Sequence, residues 1–252
     1  MMTDDSVLPS APSLLQGRHG VFGPIRHDDR VSRCLRQYGE WAEEELDLLG
    51  RLLSPGDTVL ELGANYGAQT VRLSQLVGEQ GWVLLIEPDR LALQQASANL
   101  GINAVTNVYT EQMQLSHVSG AVEQLAPGMK SMAPARLRVS TLDELGLDSV
   151  TLIKINTPGM VRSVLAGAAA LLDAARVQRP CVYFQLGDED AAMAEVEAMK
   201  AHGYRCWSHV TYLYNPDNYL HNRVNAYPGR VLQNVLALPA DTQAKVEHLV
   251  EL

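Results

Sequence analysis

Short apolar runs alternate with amphipathic stretches through most of this chain. Residues 58–62, 82–87, 107–115, 150–156, 181–186, 204–208 and 231–238 are apolar and bounded by glycine, proline or polar residues, a pattern that predicts strands. Most are separated by stretches with helical spacing, at 68–77, 90–100, 160–175 and 188–202. Strand and helix repeating in this way predict an α/β fold, a mostly parallel seven-stranded sheet with helices on both faces. Residues 136–139 add a short strand. No crossover helix is visible between 218 and 238, so the last strand is expected to run antiparallel at the sheet's edge. Ahead of the first strand, Trp41, Leu46, Leu48, Leu49 and Leu52 suggest one face of an amphipathic helix over 38–53, stopped by Ser54-Pro55-Gly56. The chain divides into an N-terminal arm or lid (1–37), a main domain (38–239) and a C-terminal helical tail (240–252).

Composition narrows the function classes. The 252 residues, 46 % of them hydrophobic, suffice for a sizeable core. With 20 basic against 29 acidic residues, a formal net charge of -9 and no Lys/Arg-rich block, the chain offers little to a phosphate backbone, and no nucleic-acid partner is expected. Cys34, Cys181 and Cys206 are scattered and form no C-x-x-C pair, which argues against a zinc site and a disulfide framework. The polar, proline-bearing start lacks the basic and apolar regions of a secretion signal, and no apolar run approaches the ~20 residues that span a bilayer. A cytoplasmic protein without a membrane partner is the expectation.

The chemistry concentrates in Val59-Leu60-Glu61-Leu62-Gly63-Ala64-Asn65-Tyr66-Gly67, an apolar strand running into a glycine turn with a carboxylate near its end. Gly63 and Gly67 let the backbone pass close under a small molecule, and the following helix points its amide-rich start at the same place. Such turns also occur where a helix merely packs tightly on a sheet. Glu61 discriminates among ligands: beside a pyrophosphate it would cost Coulomb energy, whereas a cofactor carrying an ammonium would be attracted. S-adenosylmethionine fits that description. The second strand ends in Glu87-Pro88-Asp89, with Glu87 24 residues after Gly63. An acid at that place can accept both hydroxyls of a ribose, and Asp89 is the better N-cap for the next helix. A dinucleotide stays open because Glu87 would serve its ribose equally well, although G-x-x-x-G is not G-x-G-x-x-G.

In order and wording these pieces resemble the FkbM-type S-adenosylmethionine-dependent methyltransferases over residues 38–239. The matching segments begin with Tyr38-Gly39-Glu40-Trp41, Pro55-Gly56-Asp57-Thr58, the strand and turn through Asn65, and Glu87-Pro88. They continue with Thr141-Leu142-Asp143, Leu152-Ile153-Lys154-Ile155, Leu213-Tyr214-Asn215-Pro216-Asp217-Asn218 and Asn234-Val235-Leu236-Ala237-Leu238-Pro239. The resemblance implies a Rossmann-like class I fold, S-adenosylmethionine as cofactor and O-methylation as the usual activity, here of a small-molecule or glycan hydroxyl. A homodimer is left open. Glu61, Gly63, Ala64, Asn65, Gly67 and Glu87 are the expected cofactor residues, with Tyr38 closing over the cofactor's amino-acid end.

Two departures from the family bear on catalysis. Where it reads Lys-Ile-Asp-Val-Glu-Gly at the end of the fourth strand, this chain reads Lys154-Ile155-Asn156-Thr157-Pro158-Gly159, and where it places a Glu near the end of the fifth strand, Gln185 stands. Amides neither accept a proton at neutral pH nor hold a divalent metal well, so no metal is expected. Methyl transfer asks mainly for alignment and the exclusion of water. A weakly acidic hydroxyl must still lose its proton. With Asn156 and Gln185 facing the acceptor, the candidate base is His209, after the sixth strand, ahead of His117 or His221. Tyr212, Asn215 and Asn218 belong to a polar-aromatic loop that suits an acceptor pocket or, equally, a proline-turned connection. A cofactor-binding protein that has lost catalysis is the rival reading, and an NAD-dependent oxidoreductase is the third.

Overall fold

All five residues of Thr58–Leu62 are buried, because a parallel strand covered on both faces shows neither side to water; after Thr58 the segment therefore reads as an apolar run broken only by Glu61. The computed structural model describes residues 14–23, 30–124, 135–242, 246 and 248–252. Residues 1–13 and 24–29 of the expected arm lie outside them. In chain order the elements are β1 (Leu15–Gln16), β2 (Val21–Phe22), α1 (Arg30–Tyr38), α2 (Glu43–Leu52), β3 (Thr58–Leu62), α3 (Thr70–Val77), β4 (Trp82–Ile86) and α4 (Arg90–Ile102). There follow β5 (Val108–Glu111), β6 (Met113–Leu115), β7 (Gly120–Gln124), β8 (Ala135–Ser140), β9 (Leu152–Ile155) and α5 (Val161–Ala166). The chain closes with β10 (Cys181–Gln185), α6 (Glu189–Ala201), β11 (Tyr204–Tyr212), β12 (Val231–Pro239) and β13 (Val250–Glu251).

The main sheet has the order β13-β11-β12-β10-β9-β3-β4-β5. From β10 to β5 the neighbours are parallel, while β12 is antiparallel to both β10 and β11. Leu60, Ile153 and Phe184 pack with Val164 of α5 and Met199 of α6 on one face. Val59, Leu152 and Leu236 pack with Leu49 of α2 and Leu73 of α3 on the other. The doubly wound sheet is thus the expected one, with eight strands where seven were expected. After β3 the chain moves to β4 on one side and returns later as β9 on the other, which opens a crevice at the C-terminal ends of these strands.

Several local expectations are corrected. The last long strand is antiparallel as expected but lies between β10 and β11 instead of at the edge; Val235, Leu236 and Ala237 are fully buried there, which an edge position would not allow. The helix expected over 38–53 starts later, as α2 from Glu43; α1 precedes it and ends at Tyr38, and between the two Gly39 and Ala42 take φ of 70° and 49°. The helix expected over 160–175 stops at Ala166, because the amides of Ala170 and Leu171 are taken by the Asp143 carboxylate instead of by helix carbonyls. The segment 107–115 divides, and β6 joins a small sheet of order β6-β8-β7. Of the helical tail expected over 240–252, residues 243–245 and 247 lie outside the described residues, and the described end adds β13 to β11. The described part of the arm is anchored. Its Val21 amide donates to Asn103 Oδ1, just past α4, at 2.8 Å, and its Gly23 amide to Asn99 Oδ1 on α4 at 2.7 Å.

Candidate functional site

The turn after β3 is tight: Gly63, Asn65 and Gly67 have φ of 71°, 54° and 72°. A Cβ on Gly63 would lie 2.3 Å from Thr157 Oγ1, so this turn presses against the one after β9. Gly67 has another task. A Cβ there would meet Ala96 Cβ at 3.4 Å, which makes it the place where α4 packs under the turn, and it borders none of the cavities described next. Three cavities meet at Gly63. A polar one of about 400 Å³ is bordered by Trp41, Glu45, Ala64, Asn65, Gln69 and Gln185. A second, of about 720 Å³, lies along Asn65, Glu87 and Thr157. The third, of about 240 Å³, is an apolar slot between Leu62, Ile86, Met113, Leu115 and Ile155.

Glu87 is fixed at the rim of the second cavity. Its Oε2 accepts the Asn65 amide at 2.8 Å and its Oε1 the Asp89 amide at 3.0 Å. Burial raises its pKa above the ordinary carboxylate value, and the two amide bonds oppose that rise. A carboxylate so held still has lone pairs free to accept further hydroxyl groups.

Beneath the polar cavity lies a buried ionic network. Lys154, 1 % exposed, donates to Glu45 Oε2 at 3.1 Å, to Gln69 Oε1 at 2.9 Å and to Asn156 Oδ1. Glu45 also accepts from Gln69 at 3.0 Å and from Asn234 at 3.2 Å. Glu61, expected to face the cofactor, is instead 0 % exposed and borders none of the three cavities. Its carboxylate accepts Thr70 Oγ1 at 2.6 Å and Asn156 Nδ2 at 3.1 Å, so its influence on the cleft passes through Asn156. Burial raises its pKa, against the pull of Lys154. Glu45 and Gln69 were missed by the sequence reading. A lysine inside the apolar strand Leu-Ile-Lys-Ile was the available signal, since a buried ammonium demands a buried acid partner.

Asn156 and Gln185 both border the polar cavity, as expected of acceptor-facing residues, and Ala64 and Asn65 line it too. Five other expected residues lie elsewhere. Tyr38 is 1 % exposed and does not close over the cleft; its hydroxyl donates to the Val224 carbonyl and accepts the Ala226 amide, holding the late loop in place. His209 lies inside β11, opposite Asn234, with Nδ1 2.8 Å from Tyr183 Oη. It borders a separate cavity with Arg51 and His248 that shares no lining residue with the polar one. Asn215 and Asn218 are the hydrogen-bonded frame of their own loop: Asn215 donates to Glu40 at 2.8 Å and Asn218 to the Asn215 and Asn222 carbonyls. Tyr212 is exposed at the end of β11, and its amide donates to Glu44. These five, with His117 and His221, border none of the cavities at Gly63.

The sheet order, the crevice at the ends of β3, β4 and β9, and the glycine turn beneath it define the Rossmann-like fold of the class I S-adenosylmethionine-dependent methyltransferases. Residues 42–134, which carry β3, β4 and the turn, match the family model described as protein-L-isoaspartate(D-aspartate) O-methyltransferase. An S-adenosylmethionine-dependent O-methyltransferase from Thermotoga maritima has a similar structure, with a TM-score of 0.54 and 12% identity over 93% of this chain and 88% of that one. A precorrin-6y C5,15-methyltransferase from Geobacter metallireducens gives 0.47 and 16% over 79% and 86%. An rRNA methylase from Streptococcus thermophilus gives 0.47 and 16% over 78% and 95%. No curated protein matches the chain.

Proposed function

We propose that this chain is an S-adenosylmethionine-dependent methyltransferase acting on a hydroxyl of a small-molecule or glycan acceptor, without a divalent metal. The meeting of three unlike cavities at Gly63 carries the reading. The apolar slot suits a planar base, Glu87 suits the two ribose hydroxyls, and the polar cavity with Glu45 and Gln69 suits a zwitterionic amino-acid end. When bound, the cofactor supplies a methyl group on a positively charged sulfur. The chain's own part is to bind, orient and exclude water. Trp41, Asn156 and Gln185 border the space beside the turn, where an acceptor would be aligned. An acidic phenol or carboxylate acceptor needs no strong base.

A second reading, cofactor binding without transfer, is favoured by Asn156, whose amide is spent at both ends on Lys154 and Glu61. Calorimetry with S-adenosylhomocysteine and NAD in parallel tests the class. S-adenosylhomocysteine should bind, and Glu87→Ala should weaken it by about 1.5–3 kcal/mol, the scale for hydrogen bonds to a charged group. Tight NAD binding with no heat from S-adenosylhomocysteine would overturn the proposal. A mass-shift screen of cell extract then separates the two readings: methylation by the natural chain supports transfer, and activity gained only in Asn156→Asp with Gln185→Glu supports binding alone.

A further inference from the structure

Next to the polar cavity lies another of about 590 Å³, bordered by Arg30, Arg33, Leu213, Tyr227 and Arg230 among others. Arg30 borders both, so the two spaces are neighbours. Among its described lining residues there is no Asp or Glu. Arg30 and Arg230 are exposed, and neither side chain has an ion-pair partner among the described residues. In a chain of net charge -9, three guanidinium groups gathered at one concave site are a departure from the general surface. Like charges held together cost Coulomb energy that an anion offsets. The planar guanidinium fork matches carboxylate and phosphate, and the Leu213 and Tyr227 walls offer apolar surface to the rest of a ligand.

We propose that this arginine-lined cavity is the acceptor subsite and holds a small molecule through its carboxylate or phosphate group. The assignment as acceptor rests on the methyltransferase reading; the anion site itself rests on the arginines alone. A long nucleic acid is disfavoured, because a chain of net charge -9 repels a polyanion.

The test is calorimetry of the full chain with phenyl phosphate, benzoate and the neutral benzyl alcohol, each with and without saturating S-adenosylhomocysteine, and with a 20-nucleotide RNA. Phenyl phosphate or benzoate should bind and benzyl alcohol should not, and the stronger of the two anions identifies the acceptor's charged group. Arg230→Gln should weaken the anion by about ten-fold or more and Arg230→Lys by less, the scale for losing a charge-assisted bond, while S-adenosylhomocysteine affinity is unchanged. Equal binding of benzyl alcohol, or unchanged anion affinity in both folded Arg230 variants, overturns the proposal. So does RNA binding tighter than either small anion with a steep salt dependence. If anions bind but S-adenosylhomocysteine does not, the cofactor reading fails and the anion site stands; the opposite pattern removes the anion site alone.

Discussion

A lysine with 1 % of its surface exposed needs a counter-charge, and Lys154 finds it in Glu45. Removing one member of such a pair strands the other in a poor solvent, whereas removing both leaves nothing unpaired. Lys154→Met alone should therefore cost about 3–5 kcal/mol of stability in urea unfolding, and Lys154→Met with Glu45→Gln should cost clearly less than the sum of the singles. Strict additivity would show that the pair does not couple. His209 illustrates the opposite kind of residue, one whose surroundings alter its charge without placing it at the cleft. Burial lowers its pKa from 6.5, Glu45 opposes this, and His248 and Arg51 add to it. Because the unfolded chain takes up this proton more readily, the histidine's contribution to stability is present above 6.5 and is lost as the pH falls through its lower native value. His209→Gln should flatten the pH dependence of unfolding in that window. Its affinity for S-adenosylhomocysteine should stay within about two-fold of the natural chain, as for distant sites.

Elements whose signals are local were legible in the sequence, and those set by neighbours far along the chain were not. β3, β4 and α4 fall where apolar runs and the Asp89 cap put them, and Glu87, which follows β4, borders the second cavity. Asp89 Oδ1 accepts the Leu91 and Ala92 amides at 2.8 Å each, so Asp89→Ala should destabilise the protein by about 1 kcal/mol, the usual loss of an N-cap, with α4 amides exchanging faster. Unchanged stability and exchange would mean that α4 is held by packing alone. The break between α1 and α2 was hidden because Ala42, an ordinary helix former, takes a positive φ there under tertiary contacts. β11 runs to Tyr212, beyond the strand expected to end at 208, so His209 sits within a strand, paired with Asn234, and not in a loop free to reach an acceptor. The insertion of β12 between β10 and β11 is a choice of partners, which composition along one strand does not encode.

At the scale of the whole molecule, the proposed cofactor space has no single owner. It is bordered by Glu45 of α2, the turn after β3, Glu87 after β4, Met113 of β6 and Asn156 after β9, residues brought together only when the sheet and its helices have assembled. A ligand of such a site binds the folded chain and not the unfolded one, so it must stabilise the fold by mass action. At about 100 times its dissociation constant, S-adenosylhomocysteine should add about 2.7 kcal/mol, read as a higher Tm that keeps rising with concentration. The same amount of NAD should leave Tm unchanged. Among the described residues no group of three or more His, Cys, Asp or Glu side chains gathers as a metal site, and the strand-end positions at the cleft carry the amides Asn156 and Gln185. EDTA should then leave both the basal Tm and the S-adenosylhomocysteine increment intact. A loss of the increment in EDTA, restored by magnesium or calcium, would place a cation in the cofactor's binding and refute the metal-independent reading, whereas a Tm raised by NAD alone would refute the choice of cofactor.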